Sequence, residues 1–116
     1  MGAFTSVTTV GRDSNMEGRK VLIVTAVGPA SYDAGGSEID LGTTALGLLD
    51  GSTAASGATC IKVAGTAADK YFATAIAGAS AHTLKIVVRD AEAGTAAAEV
   101  SGDISALTFT LVCYGT

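Results

Sequence analysis

A chain of 116 residues with a net charge of −4 and a 48% hydrophobic fraction is one domain by length, with room for one core and not for two. Its seven basic residues are scattered and only 5% of it is aromatic, so there is neither a phosphate-binding stripe nor a stacking platform, and the composition argues against nucleic acid as a partner. Alanine and valine account for much of the apolar fraction, and no run approaches the roughly 18 apolar residues of a membrane span.

Met1 to Ser6 lacks the basic and apolar regions of a secretory signal, which predicts a protein made and used without secretion. Phe4 to Val10 is rich in β-branched residues and reads as a first strand. Gly11 to Gly18 reads as a polar connection. Within it, Ser14-Asn15-Met16-Glu17 has the form of a capping box, but Gly18 follows where a helix would have to continue, so the match is accidental. Arg19 to Val27 carries Val, Ile and Thr at both parities, the pattern of a strand covered on two sides.

Residues 32 to 52, YDAGGSEIDLGTTALGLLDGS, do not read as a strand. Gly35-Gly36 predicts a sharp turn at positive φ. After Asp40, a candidate N-cap, Leu41, Ala45, Leu46, Leu48 and Leu49 recur at helical spacing and predict one short helix around residues 41–49, which Gly47 and Gly51 keep to two or three turns. Asp33, Glu38 and Asp40 lack the alternate spacing that wraps oxygens around a calcium ion, so this stretch is read as a connector.

Thr59 to Val63, Tyr71 to Ile76 and Thr83 to Arg89 follow at intervals of roughly ten residues or a little more, the spacing of sandwiches and barrels. In the third of these, Leu84, Ile86 and Val88 share one face and Thr83, Lys85 and Arg89 the other. Asp90 to Gly94 reads as a hairpin loop into a strand over Thr95 to Val100. Leu107, Phe109, Leu111 and Cys113 alternate with Thr108, Thr110, Val112 and Tyr114, which predicts a half-buried last strand. The expected fold is mainly β, an antiparallel sandwich or barrel of jelly-roll-like form, in a single domain over residues 1–116 with an extended N-terminal arm at 1–18.

Few residues suggest chemistry. Cys60 and Cys113 sit among apolar neighbours, where a reduced thiol behaves as a small hydrophobe. Without a Cys-x-x-Cys pair, and with His82 the lone histidine, a structural zinc site lacks ligands. His82 has no nucleophile beside it and reads as an edge or loop residue. Gly65 to Lys70 has neither the second glycine nor the Ser/Thr of a phosphate loop and reads as a turn. Eleven acids on a small sheet will place some pair close together, but a carboxylate pair does not specify a glycosidase without a cleft and a raised pKa. No catalytic, cofactor-binding or metal residue is assigned, and no cofactor is expected.

Three segments, AFTSVTTVGRDSNMEGRKVLIVTAV, YDAGGSEIDLGTTALGLLDG and VSGDISALTFTLVCYGT, together resemble small structural proteins of tailed bacteriophages in order and spacing. The resemblance implies a virion component, most like a capsid decoration or cement protein, made in the host cytoplasm and carried on the outer surface of the capsid. It further implies a homotrimer whose partner is the major capsid protein, with no role for nucleic acid or membrane. Ala54 to Ala81 departs from the pattern, so no capsid-facing residue is transferred. Two alternatives remain in view: another head- or tail-associated virion protein, and a small carbohydrate-binding module. The last is weakened by the dispersal of Phe4, Tyr32, Tyr71, Phe72, Phe109 and Tyr114, since alternation puts the adjacent Tyr71 and Phe72 on opposite faces.

Overall fold

The computed structural model of the protein describes residues 2–14, 20–41, 55–65, 68–80, 83–91 and 98–115. These form seven strands: β1 (Thr5–Ser14), β2 (Lys20–Val27), β3 (Ser37–Asp40), β4 (Ala55–Ala64), β5 (Tyr71–Ala77), β6 (Thr83–Asp90) and β7 (Thr108–Gly115). All pair antiparallel in one sheet of order β1-β2-β7-β4-β5-β6-β3, which curls into a nearly closed barrel. The mainly β, antiparallel architecture expected from the sequence is the one observed, in its barrel form. Residues 5–14 of the expected N-terminal arm are β1, paired along β2. The helix expected around residues 41–49 lies, beyond Leu41, outside the described residues.

The period-2 pattern fixes which face is inside. On β7, Phe109, Leu111 and Cys113 are at most 1% exposed. Their register partners on β2, Ala26, Val24 and Leu22, are fully buried. On β6 the inward row is Leu84, Ile86 and Val88, and on β3 it is Ser37 and Ile39. Each large apolar side chain sealed in this way contributes about 1.5–3 kcal/mol. The outward residues of β2, namely Val21, Ile23, Thr25 and Val27, are half-buried. The strand is therefore sealed on one side only, and its second apolar face reflects β propensity and partial cover by neighbouring strands.

Strand β7 lies between β2 and β4, so it joins the N-terminal hairpin to the β4-β5-β6-β3 half. The barrel closes at a second place. Phe4 N–H donates to the Glu38 carbonyl across the gap between the two edge strands at 3.0 Å. The Phe4 ring packs edge-on against Phe109, with centroids 5.3 Å apart and planes at 83°. A bulge just after Phe4 directs the chain there: two residues, Ser6 and Val7, stand opposite Ala26, and Ser6 adopts φ +49°. Another bulge, on β4 at Ile61, sets an extra residue against β7 between the Cys60–Leu111 and Lys62–Thr110 pairs and leaves Ile61 exposed.

Strand β3 was not apparent in the sequence. It is four residues long, but Ser37 and Ile39 point inward while Glu38 and Asp40 lie on the outer row. The strand expected over Thr95 to Val100 is represented among the described residues by 98–100, which continue along the β6 edge beyond β3. Asp90 N–H donates to the Ala98 carbonyl and Val100 N–H to the Val88 carbonyl, both at 3.0 Å.

The placement of Leu111, 1% exposed between β2 and β4, predicts that Leu111→Asp destabilises the protein by roughly 3–5 kcal/mol, because a carboxylate there has no partner and little water. Urea unfolding monitored by circular dichroism measures this, and an unchanged midpoint would refute the register of β7.

Candidate functional site

Residues 32–36 are held by a compact hydrogen-bond cluster at one end of the barrel. Gly36 N–H donates to the Asp33 carbonyl at 3.0 Å, closing a turn in which Gly35 supplies the positive φ, +89°, that a type II turn requires at its third residue. The Glu99 carboxylate fastens this turn. Its Oε2 accepts the Tyr32 hydroxyl at 2.5 Å and Gly35 N–H at 2.8 Å. The Tyr32 oxygen in turn accepts Val88 N–H at 3.0 Å, and Tyr32 N–H donates to the Gly102 carbonyl at 2.8 Å. The Gly-Gly loop, the 98–102 segment and β6 are thus tied through one phenol.

Two acids of this stretch, Asp33 and Glu38, each accept from a backbone group of a different segment. Asp33 Oδ2 accepts Gly2 N–H at 3.3 Å, and Glu38 Oε2 accepts Ala79 N–H at 3.0 Å in the β5–β6 turn. The buried Ser37 hydroxyl accepts Asp33 N–H at 2.9 Å. Carboxylates committed in this way support the connector reading. Among the described residues, no group of three or more His, Cys, Asp or Glu side chains is arranged to hold a metal ion.

Beside the cluster, where β5 begins and β6 ends, a cleft of about 260 Å³ is walled by Tyr71, Asp90, Glu99, Val100, Asp103 and Ile104, with Ala98 and Ser101 completing it. Asp90 faces Lys70 at 3.5 Å, and Lys70 also sits 5.2 Å from the centre of the Tyr71 ring. Asp103 Oδ1 accepts the Ser105 hydroxyl at 2.6 Å and Ser105 N–H at 2.8 Å, bonds that hold its carboxyl below the usual range. The three carboxylates share a wall, yet each is engaged by a neighbour.

The remaining sequence candidates are spread over the molecule. Cys60 and Cys113 are free, and they face Leu111 and Ala58 across the β4–β7 pairing and not each other. Burial pushes the Cys113 thiol up to about 12 and raises that of half-buried Cys60, which makes both poor nucleophiles at neutral pH. Gly65 to Lys70 ends in a short 3₁₀ turn, Ala68–Lys70, consistent with the turn reading. His82, together with residues 15–17 of the capping-box match, lies outside the described residues. Tyr71 points inward and Phe72 outward, as alternation requires. Sequence reasoning missed Glu99 as the fastener of the Gly-Gly turn, since nothing in Ala96 to Val100 links it to a turn more than 60 residues earlier.

No helix is long and apolar enough to cross a membrane among the described residues. No protein-family model, curated protein or solved structure matches the chain.

The cluster makes stability sensitive to alkali. Tyr32 is pushed well above the usual tyrosine value near 10, first by burial and then by its hydrogen bond to Glu99. A raised pKa stabilises the fold fully below the unfolded value, and the contribution is lost as pH rises through the folded one. Melting temperatures between pH 8 and 11 are expected to fall more steeply for the wild type than for Tyr32→Phe. At neutral pH, Tyr32→Phe costs about 1–3 kcal/mol, because Val88 N–H loses its acceptor and Glu99 a donor. Equal alkaline slopes would show that Tyr32 does not titrate as a buried group.

Proposed function

We propose that this chain is a non-enzymatic structural protein of a tailed-bacteriophage virion, which decorates and stabilises the mature capsid by binding its lattice as a homotrimer. The observation that carries this reading is the resemblance of three segments, in order and spacing, to small phage structural proteins. Their arrangement supports it. Segments far apart in sequence form one adjoining unit, with β1 and β2 from the first, β3 from the second and β7 from the third meeting through the β2–β7 pairing and the Phe4 contacts to Glu38 and Phe109.

A decoration protein needs surface and shape more than reactive groups, and the cleft carboxylates and thiols described above are occupied or masked. A protein that binds the assembled lattice and not free subunits stabilises the shell by linkage. At a thousandfold excess over Kd this amounts to about 4 kcal/mol per site. Three copies of a contact patch in a trimer convert a weak single contact into avid attachment.

The test is to titrate purified protein onto bare expanded heads and onto unexpanded shells, count bound copies by cryo-electron microscopy and compare rupture temperatures. Saturable binding to expanded heads with a raised rupture temperature is expected. Absence of binding to either head form, with label found on tails, would overturn the decoration reading in favour of a tail role.

A further inference from the structure

Residues 2–4 leave one edge of the sheet and seat on the other, since β1 and β3 are the two end strands of the sheet order. Phe4 N–H bonds to the Glu38 carbonyl on β3 at 3.0 Å, and the Phe4 ring, 5% exposed, lies edge-on to Phe109. Gly2 N–H donates to Asp33 Oδ2 at 3.3 Å, and a side chain at Gly2 would collide with the Ser31 carbonyl. The seat therefore combines a backbone bond, a ring contact and a close approach that only glycine permits. The turn that delivers the segment to it is strained. Among the described residues Ser6 is the non-glycine with a positive φ, +49°, a region that costs an L-residue roughly tenfold in population. Ser6 is exposed and lies in the β1 bulge, where the Thr8 hydroxyl donates to its carbonyl at 3.1 Å.

We propose that residues 2–4 exchange onto the β3 seat of a second copy of this chain, with Ser6 as the hinge. The contacts already made within the chain select this occupant, because a second copy presents the identical segment to the identical seat. Exchange keeps the Phe4 and Gly2 bonds and lets Ser6 extend, and a strained hinge beside a well-seated segment favours that outcome. Residues 2–5, extended, span roughly 13 Å, enough to cross to a copy packed alongside. Within one chain the segment is held at an effective concentration on the order of millimolar. The closed form therefore dominates in dilute solution, and exchange takes over where copies are crowded side by side. A segment passed from each copy to the next is a heterologous contact, which closes into a ring when its rotation allows. The inference rests on the homotrimer part of the proposed function and supplies the link between its copies.

Sedimentation velocity on the purified protein, from micromolar concentrations to about 1 mM, tests it without any capsid. The wild type is expected to be a single chain at the low end and to associate toward the high end. Ser6→Gly, which relieves the positive φ, is expected to move association to roughly tenfold higher concentration. Ser6→Pro, which cannot adopt that φ, and Thr8→Val, which removes the hydroxyl holding the bulge, are expected to move it lower. Phe4→Ala empties the seat and is expected to abolish association. Thermal melts confirm that the variants fold, and Ser6→Gly and Thr8→Val, both at exposed positions, carry the test if Ser6→Pro or Phe4→Ala does not. A single chain at the highest concentration, in the wild type and in Thr8→Val, overturns both the exchange and the homotrimer, leaving lattice binding to be judged by head titration. A trimer indifferent to the Ser6, Thr8 and Phe4 variants overturns the exchange alone. A two-chain species that follows them in the expected order supports the exchange and overturns the trimer.

Discussion

The pairing of β7 with both β2 and β4 is the constraint on which the barrel depends. Without it the β1–β2 hairpin and the β4-β5-β6-β3 half have no common ladder, and among the described residues it is the Phe4 to Glu38 backbone bond that spans their edges. Phe109 sits at this junction, fully buried, opposite Ala26 on one side and Val63 on the other, with Phe4 edge-on to its ring. Because β7 pairs with β2, a strand far earlier in the sequence, the core cannot be completed until both are present. Ordering such distant contacts costs loop entropy before burial offsets it, which places folding at the slow end for a domain of this size.

Much of this was legible because long strands with one buried face announce themselves. The alternation of Leu107 to Tyr114 and of Thr83 to Arg89 gave both the strands and their inner faces, and the observed burial follows it except at Val87, which is buried on the outer row of β6. Features that depend on partners were not legible. Ser37–Asp40 is too short to show a period until β6 is beside it, and the bulge at Ile61 exists only relative to β7. In β2 the apolar residues at both parities suggested two covered sides, but the sheet offers the outer row only lateral neighbours. Those side chains follow strand propensity there more than burial.

The Gly-Gly stretch shows the same division. Its turn was readable from glycine chemistry, while the Tyr32–Glu99 bond that fastens it joins residues 67 apart in sequence. Asp33 and Glu38, whose spacing does not suit a calcium loop, accept from separate backbone donors. Polar groups at this end of the barrel close the fold and tie loops, while the exposed large apolar residues Ile61, Phe72, Ile76 and Tyr114 lie on the outer side of β4, β5 and β7.

Native-state amide hydrogen exchange reads the central constraint most directly. If β7 is the common ladder, the amides of residues 109–113 exchange only through global unfolding, at the free energy given by denaturant melts, and those of β2 and β4 paired to them are protected to the same level. Protection that is higher in β5 and β6 than in β7, or a β1–β2 hairpin that opens independently while β7 stays closed on β4, would contradict it.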